Sequence, residues 1–100
     1  MTVESLTQVT EAEVLQTVKV SLNITGAQFD ETLKLYITEV KGYLSSAGVR
    51  ADVLASSLAV GCIARGVADL WNYGNGDTKL SEYFYQRADQ LRGIEVLSNG

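Results

Sequence analysis

Between Ala51 and Tyr73, apolar residues fall on every side of a helical wheel: Val53, Leu54, Ala55, Leu58, Ala59, Val60, Cys62, Ile63, Ala64, Val67, Ala68, Leu70 and Trp71. A helix without a polar face must be surrounded, either by protein or by lipid. The uncharged run between Asp52 and Arg65 is twelve residues, against roughly 20 needed to cross the hydrocarbon of a bilayer. Protein is therefore the expected surround, and no membrane partner is expected. Gly61 and Gly66, with Ala55, Ala59, Ala64 and Ala68, keep the rod thin enough for neighbours to approach from several directions. Arg65 is the exception, expected to pair with Asp69 one turn on or to reach water by its long stem.

The remaining residues have to enclose this rod, and 100 residues suffice for one modest core. There is no proline, so glycines and capping residues supply the punctuation. Thr10 with Glu13 reads as a capping box opening a first helix over about 11–19. Val18, Val20, Leu22 and Ile24 then alternate with polar residues, which predicts an extended connection over 20–24. Thr25 to Gln28 offers a second capping-box pattern. The helix after it places Phe29, Leu33, Tyr36, Ile37, Val40, Leu44 and Ala47 on one face, with Asp30 and Lys34 paired on the other. Gly42 inside that helix costs up to about 1 kcal/mol relative to Ala unless a neighbour approaches closely. Gly48 suits a left-handed stop. Ser81 reads as the N-cap of a last helix with Phe84, Ala88 and Leu91 inward, ended by Gly93. The expected fold is all-α: one domain over 1–100, a small four-helix bundle around a central apolar helix (about 51–73). Residues 1–9 and 94–100 are expected as mobile tails.

Composition narrows the function. Without histidine there is no Ser-His or Cys-His nucleophile arrangement, so an enzyme is not expected. The lone Cys62 forms no internal disulfide and no zinc cluster, and reads as a small buried hydrophobe. Twelve acidic against eight scattered basic residues give a net charge of −4, which argues against sequence-specific nucleic-acid binding. The first ten residues lack a basic start and an apolar run, so no secretory signal is expected and the sequon at Asn23 carries no meaning. Gly74-Asn75-Gly76 lacks the continuation of a phosphate loop, and Asn75 with Asp77 lacks the carboxylate ladder of a calcium loop. The acid pairs Glu11 with Glu13 and Asp30 with Glu31 sit in first helical turns, where exposed amides favour them. No cofactor or metal is expected.

What stands out is surface. Tyr83, Phe84 and Tyr85 span about 200° of a helix, more than one buried face holds, so at least one is left over for water or for a protein partner. The tail Ile94-Glu95-Val96-Leu97 is short and β-prone after a helix stop, either a frayed end or a strand for the sheet edge of another protein.

From Ala59 onward the string AVGCIARGVADLWNYGNGDTKLSEYFYQRADQLRG resembles the closing half of small bacteriophage head-tail connector proteins. The apolar helix ends in the Val-x-Asp-Leu pattern (Val67, Asp69, Leu70), a Gly-rich loop follows, the last helix starts Ser-x-x-Phe (Ser81 to Phe84), and Gln90-Leu91 closes it. A short helix followed by an amphipathic one carrying Leu35-Tyr36-Ile37 fits in order, so the resemblance spans about residues 10–93. It implies a virion protein, assembled in the host cytoplasm, that binds beneath the portal protein as a homo-oligomeric ring, a dodecamer in the virion. Such a ring extends the DNA channel and seats a stopper or tail-completion protein. On that reading the loop residues Tyr73, Asn75, Asp77 and Lys79, with Tyr83 and Tyr85, meet neighbouring rings or subunits, and Ile94, Val96 and Leu97 dock on the portal by strand addition. The competing expectation is a small helical regulatory or antitoxin-like protein acting on a protein partner.

Overall fold

The computed structural model describes residues 2–73 and 80–96. Among them are the helices α1 (Glu11–Leu22), α2 (Asp30–Ser46), α3 (Ala51–Leu54), α4 (Ser57–Tyr73) and α5 (Glu82–Arg92), with two short strands, β1 (Thr2–Val3) and β2 (Glu95–Val96). This is the all-α bundle that the apolar rod demands, and α4 is its axis, touching α1, α2, α3 and α5. Ala59, Cys62, Ile63 and Val67 are fully buried on α4, while the exposed side among its described residues is Ser57, Gly61, Arg65 and Asn72. Val14 and Val18 of α1, Leu33, Val40 and Leu44 of α2, and Phe84 and Leu91 of α5 close around it. Each such side chain contributes roughly 1.5–3 kcal/mol by leaving water.

The expected rod over 51–73 is broken. It turns at Ala55 and Ser56, separating α3 from α4. Ser56 is buried, donates its hydroxyl to the Val53 carbonyl at 2.6 Å and accepts the Leu58 amide at 3.3 Å, so it works as the N-cap of α4. The chain head completes the junction: the Ser57 amide donates to the Thr7 carbonyl at 2.8 Å, and the Val9 amide donates to the Ala55 carbonyl at 3.0 Å. Two backbone groups that a broken helix would leave orphaned thus find partners.

Residues 2–9 are accordingly tied down where a free head was expected. Val3, Leu6 and Val9 pack on the core, and β1 pairs in parallel with β2, Thr2 opposite Glu95 and Val3 opposite Val96. At the other end Ile94 is only 5% exposed. Leu97 and the residues after it lie outside the described ones.

The expected extended connection over 20–24 is helix as far as Leu22. Val14 and Val18 sit four residues apart on the buried face of α1, and Val20 points to water. Asn23 ends the helix in the left-handed region at φ 60°. The Thr10–Glu13 capping box is present as read, and the backbone amide of Thr10 holds the Glu13 carboxyl below its usual range. The pattern at 25–28 caps nothing, because α2 starts at Asp30 after Phe29. Asp30 pairs not with Lys34 but with Lys19 of α1, Oδ1 to Nζ at 2.8 Å, and Lys19 also donates to the Gly26 carbonyl. That one lysine clips the α1–α2 connection to both helices. Gly48 takes φ 101°, the left-handed stop, whereas Gly93 ends α5 at an ordinary φ of −88°.

Gly42 faces open space: beyond its chain neighbours and its own helix backbone, nothing lies within 4 Å of where a Cβ would stand. Nothing requires a glycine there. Gly42→Ala is expected to raise the unfolding free energy by about 0.5–1 kcal/mol, measured as an upward shift of the urea midpoint at constant slope.

Candidate protein interface

Large apolar side chains remain outside this closed core. Among the described residues Val20, Phe29, Leu35, Tyr43, Tyr83 and Tyr85 are exposed. The three consecutive aromatics of α5 divide as helix geometry requires. Phe84 is fully buried, while Tyr83 and Tyr85 stand on its two flanks, 51% and 41% exposed.

On the first flank Tyr83 meets α4. The Arg65 guanidinium lies 5.4 Å from the Tyr83 ring centroid, and its Nε is 3.4 Å from the Ser81 Oγ and 3.6 Å from the Asp69 Oδ1. Asp69, buried, accepts the Ser81 amide at 2.9 Å. Ser81 in turn accepts the Phe84 amide at 3.2 Å, the N-cap that its position predicted. Arg65, Asp69 and Ser81 thus form a polar clasp that sets the start of α5 against α4 and aims Tyr83 outward.

On the second flank Tyr85 meets α2. Its ring is 5.6 Å from that of Tyr43 and 5.7 Å from that of Phe84, at interplanar angles of 67° and 76°. These edge-on contacts make an aromatic ridge along the α2–α5 seam. Burial and, next, the Tyr85 phenol raise the Tyr43 hydroxyl above its usual 10.0. Phe29, expected on the inward face of α2, is partly exposed and stacks edge-on against Trp71 at 5.2 Å.

Cys62 is fully buried, and its thiol points at the Phe84 carbonyl, 3.9 Å away. Burial pushes the thiol from 9.0 up to about 11, with Arg87 pulling weakly the other way. The fold therefore favours the protonated thiol, and the unfolded chain ionises first as pH rises. Stability held by this group is complete below about pH 9 and falls as pH climbs towards 11. Denaturation midpoints measured across that window are expected to fall less steeply in Cys62→Ala than in the parent, whatever the offset between the two curves.

The other expected contact residues divide by location. Asn75, Asp77, Lys79 and Leu97 lie outside the described residues, as do the side chains of Tyr73 and Val96, whose backbones end α4 and β2. Tyr83 and Tyr85 are outward as expected. Ile94 is a correction: its side chain belongs to the core and is not offered to a partner. Among the described residues no group of three or more His, Cys, Asp or Glu side chains could hold a metal ion, and no helix is long and apolar enough to cross a membrane.

The chain matches no family model, no curated protein and no solved structure.

Sequence reasoning passed over Leu35 and Tyr43. For Leu35 a signal was legible: Glu31 and Glu39 flank it at four-residue spacing, a polar environment for an apolar side chain.

Proposed function

We propose that this chain is a phage structural adaptor that acts by binding: a subunit of a ring beneath the portal, extending the DNA channel and seating the stopper or tail-completion protein. The observation that carries the reading is the placement of one exposed tyrosine on each flank of α5. A ring subunit needs two different adhesive faces, one for each neighbour, whereas an antitoxin-like protein with a single target needs one. The resemblance over residues 10–93 points the same way, and a net charge of −4 suits a conduit that must not grip DNA.

Purified protein mixed with portal rings is expected to add a stacked ring of density in electron micrographs. Bare portals across a range of salt concentrations would count against the adaptor. For the tail, the informative truncation starts at Leu97, because a cut at Ile94 removes a core side chain and a cut at Glu95 removes the strand that pairs with β1. Loss of residues 97–100 is expected to abolish portal binding and leave the helical circular dichroism unchanged. Unaltered portal affinity removes the tail from the mechanism.

A further inference from the structure

Leu35 is 70% exposed on the outer face of α2, with Glu31 and Glu39 one turn to either side, both exposed. Positions four apart share a face, so these three form a stripe of acid, leucine and acid about 12 Å long. A different face of α2 walls a groove of about 490 Å³ against α1. Its floor is Leu15 and Ile37, its α2 wall is Lys34, Thr38 and Lys41, and Glu11 stands on the α1 side. Lys34 and Lys41 are seven residues apart, about 10.5 Å along the axis, close to the spacing of the two glutamates. Lys41 is half-buried and, among the described residues, has no carboxylate within 4 Å. The carboxylate beside Lys34 is Glu31 at 3.4 Å, an exposed pair that exchanges partners at little cost.

We propose that the α1–α2 groove of one copy receives the Glu31–Leu35–Glu39 stripe of a second copy. Leu35 covers the Leu15 and Ile37 floor, Glu31 reaches Lys34, Glu39 reaches Lys41, and Glu11 keeps the incoming acids on the lysine side. Stripe and groove adjoin on α2, Lys34 of the groove lying 3.4 Å from Glu31 of the stripe; when each copy gives its stripe to one neighbour and its groove to the other, the contact is heterologous and builds a ring or an open array. This rests on the adaptor reading for its self-association and adds a pair of α2 surfaces to the two tyrosine flanks of α5.

Differently tagged Leu35→Cys and Thr38→Cys copies, mixed and treated with a short thiol crosslinker, test it on the concentrated free chain and on portal-bound chain; the buried Cys62 leaves the background low. The mixed pair is expected to crosslink several-fold more than either variant with itself. Leu35→Asp and Lys41→Glu should each weaken self-association at least tenfold, and combining Glu39→Lys with Lys41→Glu should recover it. Equal crosslinking in all mixtures, no mixed product in either setting, or assemblies indifferent to Leu35→Asp overturns the contact. Portal rings that still form without the mixed product leave the adaptor standing and remove only this interface. A parent chain that never binds portals removes the adaptor, while the crosslink in the free chain still decides the contact.

Discussion

Phe84→Ala is expected to remove about 3–5 kcal/mol of stability, the cost of truncating a fully enclosed aromatic. Phe84 has no exposed surface, its ring touches Tyr43 and Tyr85, and its backbone accepts the Cys62 thiol. It is the bolt between α5, α4 and α2, and there is little slack around it for collapse. A domain of this size has about 5–15 kcal/mol in total, so the melting temperature should fall on the order of 15–30 °C. Urea titration followed by circular dichroism measures this directly. Tyr83→Ala, half in water, serves as the contrast and should cost about 1 kcal/mol or less. Equal losses at positions 83 and 84 would mean that α5 is rotated from the orientation described.

Gly66→Ala is the second large effect, and its sign runs against helix propensity. Alanine in a helix interior ordinarily gains about 1 kcal/mol over glycine. At position 66 the new methyl would stand 2.8 Å from Cε1 of Phe84 and 2.9 Å and 3.0 Å from the two γ-carbons of Val40. Both neighbours are fully enclosed and cannot retreat, so a net loss of about 1–3 kcal/mol is expected. Val40→Ala opens space at the same spot, and the double variant should be more stable than the sum of the two single losses predicts. With Gly42→Ala stabilising and Gly66→Ala destabilising, two glycines in neighbouring helices would move in opposite directions for one stated reason: the space around each.

That contrast also marks what the sequence could tell. A run of apolar residues around most of the circumference of 57–73 forces a central helix, and the Thr10–Glu13 and Ser81 caps are legible because their partners are local. Misreadings arise where a distant partner decides. Alternation at 18–24 mimics a strand, yet Leu22 follows Val14 and Val18 at steps of four, so a longer helix carries all three on the side packed against the core. The break at Ser56 is marked by two adjacent serines in an apolar run, but its stability depends on Thr7 and Val9 arriving from the chain head. Asp30 finds Lys19 on another helix in place of Lys34 on its own. Of the candidate surface, the split of Tyr83 and Tyr85 about Phe84 follows from 100° steps alone. The groove beside α2 does not, since it exists only once α1 has been laid across it.

The pairing of Thr2 with Glu95 closes almost the whole polypeptide into a single circuit. Long circuits carry the largest entropic toll on closure, and two residues per strand return few hydrogen bonds. During folding this buckle fastens only after the helices have assembled and brought the ends within reach. The hydrogen-bonded amides of this strand pair should therefore be among the first bonded ones to trade their hydrogens with heavy water, well ahead of the interior of α4.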